Sequence, residues 1–310
     1  MRFLFASLAA SLTLLVCSCT KEPRPLRLDF IGSGRFTSGN RTAGPGDTLS
    51  ARLYGAVDTV NKNALSRFRV TVRYEPGPGP RAYPVAGAPT APAPDSLTLV
   101  YLDSVLTPGA ARQLVYQTTF GARTTSGREQ WEFTVTDAGK ASAARRFRVR
   151  VAKGDSLADY HEYLLRIPAA PARPARPFVA LLPGLALPAT ALRADKAARN
   201  LIDLVYRPGA TTLAVYRRQT PDNPDRGVQL LNTDIDSVRF LTLNTPAAIA
   251  RVFGPGRTVS PLAGTGPLRR GQVFAFRTVD NHAGVFIVRR LVQQPYPVLE
   301  LLVRVVKVPG

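Results

Sequence analysis

Residues 67–74 read Arg-Phe-Arg-Val-Thr-Val-Arg-Tyr, residues 130–135 Gln-Trp-Glu-Phe-Thr-Val, and residues 146–151 Arg-Phe-Arg-Val-Arg-Val. In each run, apolar and polar residues alternate at nearly every step. Only an extended strand sends successive side chains to opposite faces, so this period commits the runs to half-buried strands of an antiparallel sheet. Four more β-rich runs share this half of the chain: Leu26–Ile31, Thr48–Val57, Leu97–Val105 and Leu114–Phe120. Turn-forming clusters such as Gly44-Pro45-Gly46-Asp47 separate them. Seven short strands in about 125 residues suit a two-sheet β-sandwich. On this parity Trp131 enters the core with Phe133 and Val135, and Leu97, Leu99, Tyr101, Asp103 and Val105 form another run on one parity.

The second half also reads as β-rich. Tyr160–Ile167, Phe178–Leu182, Leu201–Tyr206, Thr212–Tyr216 and Val238–Leu243 are expected strands. Residues 271–279, 284–292 and 298–308 form a C-terminal antiparallel meander, its first two runs joined by the turn residues Asp280–Ala283. One or two short helices interrupt this pattern. Ala191–Arg199 has helix-forming composition, and Ala247–Phe253 follows Thr245-Pro246, a cap and a first-turn proline. The expected fold class is therefore all-β, with a sandwich domain over 27–153 and a second β-rich domain over 154–310. Residues 75–95 carry seven prolines and read as an extended surface loop within the first domain.

The first eighteen residues stand apart. Arg2 precedes an apolar stretch, Phe3–Val16, that ends in small residues, which is the pattern of an export signal. It is shorter than the roughly 20 apolar residues a bilayer span needs. Both cysteines of the chain, Cys17 and Cys19, lie at its end. A Cys-x-Cys metal site would need further ligands, and the two histidines, His161 and His282, are far along the chain.

The formal charge of +20 raises the question of nucleic acid. Of 41 basic residues only six are lysine, and Ala and Pro are abundant, as a GC-rich genome produces without functional demand. No basic block or nucleic-acid module is present, so nucleic acid is not expected as a partner. If the third, sixth and seventh strands share a sheet with the sixth in the middle, Arg67, Arg69 and Arg73 flank one side of its outer face. Arg146, Arg148 and Arg150 then flank the other, with Glu132 between. That face is either a solvated surface or a contact for an anionic partner, such as an acidic glycan or an envelope protein.

No reaction is legible. There is no Ser-His-Asp set, no Gly-x-Ser-x-Gly elbow and no phosphate-binding glycine loop. Asp222-Asn223-Pro224-Asp225 and Asp234-Ile235-Asp236 lack the glycine and terminal glutamate of a calcium loop. No metal or cofactor is expected, and the chain is not expected to be an enzyme. The leading expectation is binding or assembly. A structural spacer and a cryptic hydrolase in the second domain are the alternatives.

Four resemblances add to this reading. Val16, Cys17 and Ser18 before Cys19 resemble a bacterial lipobox, which implies a signal peptide over 1–18, lipidation of Cys19, a tether over 19–26 and membrane attachment through acyl chains. Thr20 in place of Asp, followed by Lys21-Glu22, resembles outer-membrane lipoproteins of the Bacteroidetes; which side of that membrane the protein faces stays open. Trp131–Val151, with Asp137, Gly139 and Ser142 in the turn, resembles the last hairpin of Ig-like and PKD-like domains. Ile202–Tyr206, Gly271-Gln272-Val273, Phe276-Arg277-Thr278 and Gly284-Val285-Phe286 resemble a C-terminal domain of Bacteroidetes lipoproteins of unassigned activity. That resemblance brings no catalytic residues.

Overall fold

A computed structural model describes residues 26–57, 63–76, 96–107, 112–151, 159–169, 175–220, 223–252 and 263–307. The expected signal peptide, Cys19 and the expected tether up to residue 25 lie outside the described residues, as does residue 222 of the first aspartate cluster. So does nearly all of the proline-rich segment 75–95.

The chain is all-β with a few short helices. Its first part is two facing sheets. One has the order β1-β3-β6, formed by Leu26–Phe30, Thr48–Val57 and Gln113–Gly121. The other has the order β2-β8-β7-β4-β5, formed by Arg41–Ala43, Ser142–Val151, Gly127–Asp137, Leu65–Pro76 and Leu97–Val105. Every pairing is antiparallel except β2 with β8, a three-residue edge strand too short to carry an alternating signal. The inward residues of both sheets form one core. Trp131 lies at its centre, with Phe120 at 4.2 Å and Tyr101 at 5.0 Å between ring centroids.

Alternation fails in β5. Between Val70 and Thr71 the register with β5 shifts. The bulge reverses the parity of β5 beyond Tyr101. Asp103 and Val105, on the parity of Leu99 and Tyr101 in the sequence, turn to the outer face: Val105 is 83% exposed, and Asp103 lies opposite Arg69.

The second part holds a five-stranded antiparallel sheet in the order β16-β17-β18-β19-β9: Gln229–Asn232, Val273–Arg277, Ala283–Val292, Val298–Val306 and Tyr160–Pro168. The expected meander is its centre, and β9 closes the far edge against β19. Both faces are covered. Phe274, Phe276 and Phe286 point into one apolar cluster, and Val273, Ala275, Val285 and Ile287 into another. This double burial is why Val-Phe-Ala-Phe and Val-Phe-Ile-Val are continuous apolar runs. A four-stranded sheet in the order β11-β10-β12-β13 (Leu185–Leu187, Phe178–Ala180, Leu204–Arg207, Thr212–Val215) contributes Val179, Leu204, Tyr206 and Leu213 to the first cluster. A two-stranded ribbon, β14 and β15, spans Arg218–Thr220 and Asn223–Arg226.

Four short helices are described. The expected helix over 191–199 is two, α1 (Ala189–Ala194) and α2 (Lys196–Leu201), because extended Asp195 ends the first and caps the second. Residues 238–243 are not a strand: Ser237–Thr242 is α3, capped by Asp236, whose Oδ1 accepts the Arg239 N–H at 2.7 Å. Pro246–Arg251 is α4, capped by Thr245 as its sequence implies.

The apolar core crosses residue 154. Ala180, Leu185, Leu187, Ala191, Leu192, Ala198 and Ile202 pack into the same cluster as the sandwich interior. Polar contacts fix the same junction. Asp195 Oδ2 accepts the Val100 N–H at 2.8 Å, Thr190 Oγ1 donates to the Tyr101 carbonyl at 3.1 Å, and Thr124 Oγ1 to that of Gly184 at 2.7 Å. The two parts therefore share a packed seam.

Candidate functional site

The outer face of the five-stranded sandwich sheet has the arrangement the arginine pattern implied. β7 lies between β4 and β8, with Glu132 opposite Thr71 on one side and Arg146 on the other. Much of its charge is already engaged. Arg67 and Arg69 both bond Asp103, with contacts of 2.5 Å and 2.8 Å, and these bonds hold its carboxyl below the usual carboxylate range. Arg73 stands 3.5 Å from Glu75, and Arg148 donates to Gln130 at 3.2 Å. Arg146 and Arg150 are exposed. Asp103 reaches this face only through the bulge in β5, which alternation alone could not foresee.

A more concentrated feature lies elsewhere. A cavity of about 580 Å³ opens between the outer face of the three-stranded sandwich sheet and the end of the five-stranded C-terminal sheet. The sandwich wall carries Thr48 and Ser50 on β3, and Gln117 and Thr119 on β6. These are neighbours in the register, and the Ser50 and Thr119 hydroxyls bond each other at 3.1 Å. The opposite wall carries Arg166 and Pro168 from the end of β9, with Tyr296, Pro297 and Val298 leading into β19. Arg35 and Phe36 border the sandwich side, and Arg176 also lines the space. Among the described residues, three guanidinium groups thus line the cavity, and no carboxylate does. Arg52, beside Gln117 in the register, stacks over Phe36 at 5.3 Å, and its Nε is buried without a hydrogen-bond partner.

Arg176 is the unusual member. It is 6% exposed, yet its Nε has no hydrogen-bond partner among the described residues. Burial pulls its guanidinium below its ordinary pKa, opposed by nearby Tyr101, Tyr74 and Glu129. An arginine nonetheless stays protonated. A small second cavity of about 20 Å³, room for one water, lies against it together with Tyr74 and Tyr101. The Tyr101 hydroxyl is also buried without a partner, and burial raises its pKa to about 12.

Behind Arg176 lies a buried carboxyl. Glu129 is fully enclosed; its Oε2 accepts the Trp131 indole N–H at 2.8 Å and its Oε1 accepts the Arg123 backbone N–H. Burial raises its pKa to about 7, against the lowering influence of those bonds and of Arg123 and Arg176. Arg123 in turn donates to Thr125 and, at 3.0 Å, to the Glu75 carbonyl.

Parity marks Glu129 as inward, two residues before Trp131, so its burial had a sequence signal. Arg176 had none: it sits in the Pro/Ala tract 168–177, and only the folded chain brings it beside β6. His161 pairs with Val305 across strands, and His282 bonds the Val306 carbonyl at 2.9 Å from the end of a hairpin. Among the described residues, no three His, Cys, Asp or Glu side chains come together as a metal site, and no helix is long and apolar enough to cross a membrane.

No protein-family model matches the chain, and no curated protein does. Among solved structures it is similar to a DUF4466 family protein from Parabacteroides merdae. Identity is 10%, over 91% of this chain and 99% of that one, with a TM-score of 0.32. It is also similar to Spo0M, a sporulation control protein from Bacillus subtilis, at 6% identity over 85% and 79% of the two chains, with a TM-score of 0.26. At these scores neither likeness carries an argument about activity.

Proposed function

We propose that this is a lipid-anchored envelope protein of the outer membrane, attached through Cys19, with a binding role and no reaction of its own. Its first part is read as an Ig-like sandwich, and the cleft between sandwich and C-terminal sheet is the binding site for an anionic ligand. The observation that carries the reading is the cleft's composition: among the described residues, three arginines, five neutral hydrogen-bonding side chains and no carboxylate around about 580 Å³. A guanidinium desolvated in a concave site, as Arg176 is, attracts oxyanions more strongly than the same charge on a strand face. The packed seam between the two parts supports a pre-formed cleft, which lowers the ordering cost of binding.

The test is a binding screen of the detergent-solubilised protein against envelope fractions and acidic glycans at low and high salt. Saturable, salt-weakened binding is expected; none in any fraction would overturn the reading. The anchor is tested separately. Cys19→Ser should leave an unprocessed or unlipidated chain, while Cys17→Ser should be processed and membrane-bound. Loss of anchoring in Cys17→Ser would put the lipid on the other cysteine.

A further inference from the structure

We infer that the cleft takes an acidic saccharide, with its carboxylate held by Arg176 and its hydroxyls by the Ser50, Thr119 and Gln117 row. This rests on the binding reading above and names its ligand class. Two independent observations meet in the cleft. The first is Arg176 itself, a guanidinium almost wholly enclosed, whose Nε finds no acceptor among the described residues. Burying a cation without an ion pair is costly, Arg176 has none among the described residues, and an incoming carboxylate would give it one. Arg166 cannot serve equally, because it is shared with Glu300 at 3.7 Å. Arg176 is the deep anchor and Arg35, at the exposed rim, the steering charge.

The second observation is the sandwich wall. Hydroxyl and amide groups stand side by side on adjacent strands β3 and β6, all on the outer face of the sheet. A bare phosphate or a short fatty acid would use the arginines and leave this row idle. A ligand with a carboxylate and several ring hydroxyls uses both. Tyr296, 48% exposed at the C-terminal wall, offers an aromatic face to a sugar ring.

The experiment titrates the full-length protein with trigalacturonate, its neutral analogue galactotriose, and inorganic phosphate. Trigalacturonate should bind and raise the melting temperature, with galactotriose and phosphate each roughly tenfold weaker or worse. Arg176→Met, which keeps the buried volume, should weaken trigalacturonate by about tenfold or more. Arg35→Gln, at an exposed site that should not disturb folding, should slow association and reduce its salt dependence. Ser50→Ala with Thr119→Val should weaken trigalacturonate and leave phosphate unchanged. Equal binding of the charged and neutral sugars would overturn the inference. So would phosphate binding as tightly as trigalacturonate, or full affinity in folded Arg176→Met. If Arg176→Met does not fold, unchanged association and salt dependence in Arg35→Gln would overturn it alone. Envelope binding that persists while trigalacturonate fails would sink this ligand class and leave the binding reading standing.

Discussion

The Arg176 guanidinium occupies the space a side chain on Gly121 would need: a Cβ built there would lie 1.9 Å from Nη1 and 3.0 Å from Cζ. Gly121 ends β6, so a residue of the sandwich makes room for a cation supplied by the second part. Gly121→Ala must push Arg176 aside. Because a guanidinium is the far end of a long side chain, the stability cost should be modest, about 1–3 kcal/mol, while the cleft loses its deepest charge. Chemical denaturation together with ligand titration checks this. Undiminished anion binding in a folded Gly121→Ala protein would show that Arg176 does not need that space.

Glu129 should make stability depend on pH in the sense opposite to an ordinary ion-paired carboxylate. Burial raises its folded pKa to about 7, against an ordinary value of 4.5. Between those values the folded chain keeps a proton that the unfolded chain releases, so stability falls as pH rises through the window and levels above about 7. The full effect is about 3 kcal/mol as an upper figure. Asp29 and Asp103, held low by arginines, act below this window, where stability falls as pH drops. Glu129→Gln, able to keep the bond from Trp131, should flatten the curve between pH 4.5 and 7. A wild-type curve that stays parallel to the variant's would disprove the assignment.

The strands were legible because each sandwich strand buries one face, and the period of two records it directly. The outward arginines of β4 and β8 followed from the same parity. Asp103 did not, since one bulge in β5 reverses which side every later residue faces. Helix α3 was misread because Val238, Phe240 and Thr242 also fit a strand period. The deciding signal was Asp236, an N-cap at the edge of an aspartate pair read for its possible calcium chemistry. The cleft was least legible. Its walls come from β3, β6, β9 and the segments beside Arg176 and Tyr296, and no local pattern records a meeting of segments so far apart along the chain.

The seam between the two parts should depend on Gly184. This residue has φ of +65°, and a Cβ there would meet Thr124 Oγ1 at 2.0 Å and the Tyr163 ring at 3.3 Å. Gly184→Ala combines backbone strain with the loss of the Thr124 bond to the Gly184 carbonyl, and should cost about 2–4 kcal/mol. Thr124→Ala should cost about 1 kcal/mol. Differential scanning calorimetry should show one transition moved downward in both, since the core is shared. Two separated transitions in the wild type would contradict a common core.

Arg304 should anchor α3 to the C-terminal sheet. It is buried on β19, and its Nη1 donates to the carbonyls of Phe240 at 2.8 Å and Leu243 at 3.0 Å, where the helix ends. Its Nε meets Glu162 at 2.5 Å, and its guanidinium lies 4.8 Å from the Phe240 ring centroid. One planar cation thus satisfies helix carbonyls, faces a ring and pairs a carboxylate. Arg304→Met leaves those carbonyls without their donor and should cost about 2–3 kcal/mol. Arg304→Lys should recover only part of this, because an ammonium has no planar fork to place on the ring and the carbonyls together. Glu162 is 42% exposed, so Glu162→Gln should cost under about 1 kcal/mol. Urea denaturation ranks the three variants, and hydrogen exchange at residues 240–244 tests the location. If Glu162→Gln costs as much as Arg304→Met, the ion pair rather than the helix end is what Arg304 holds.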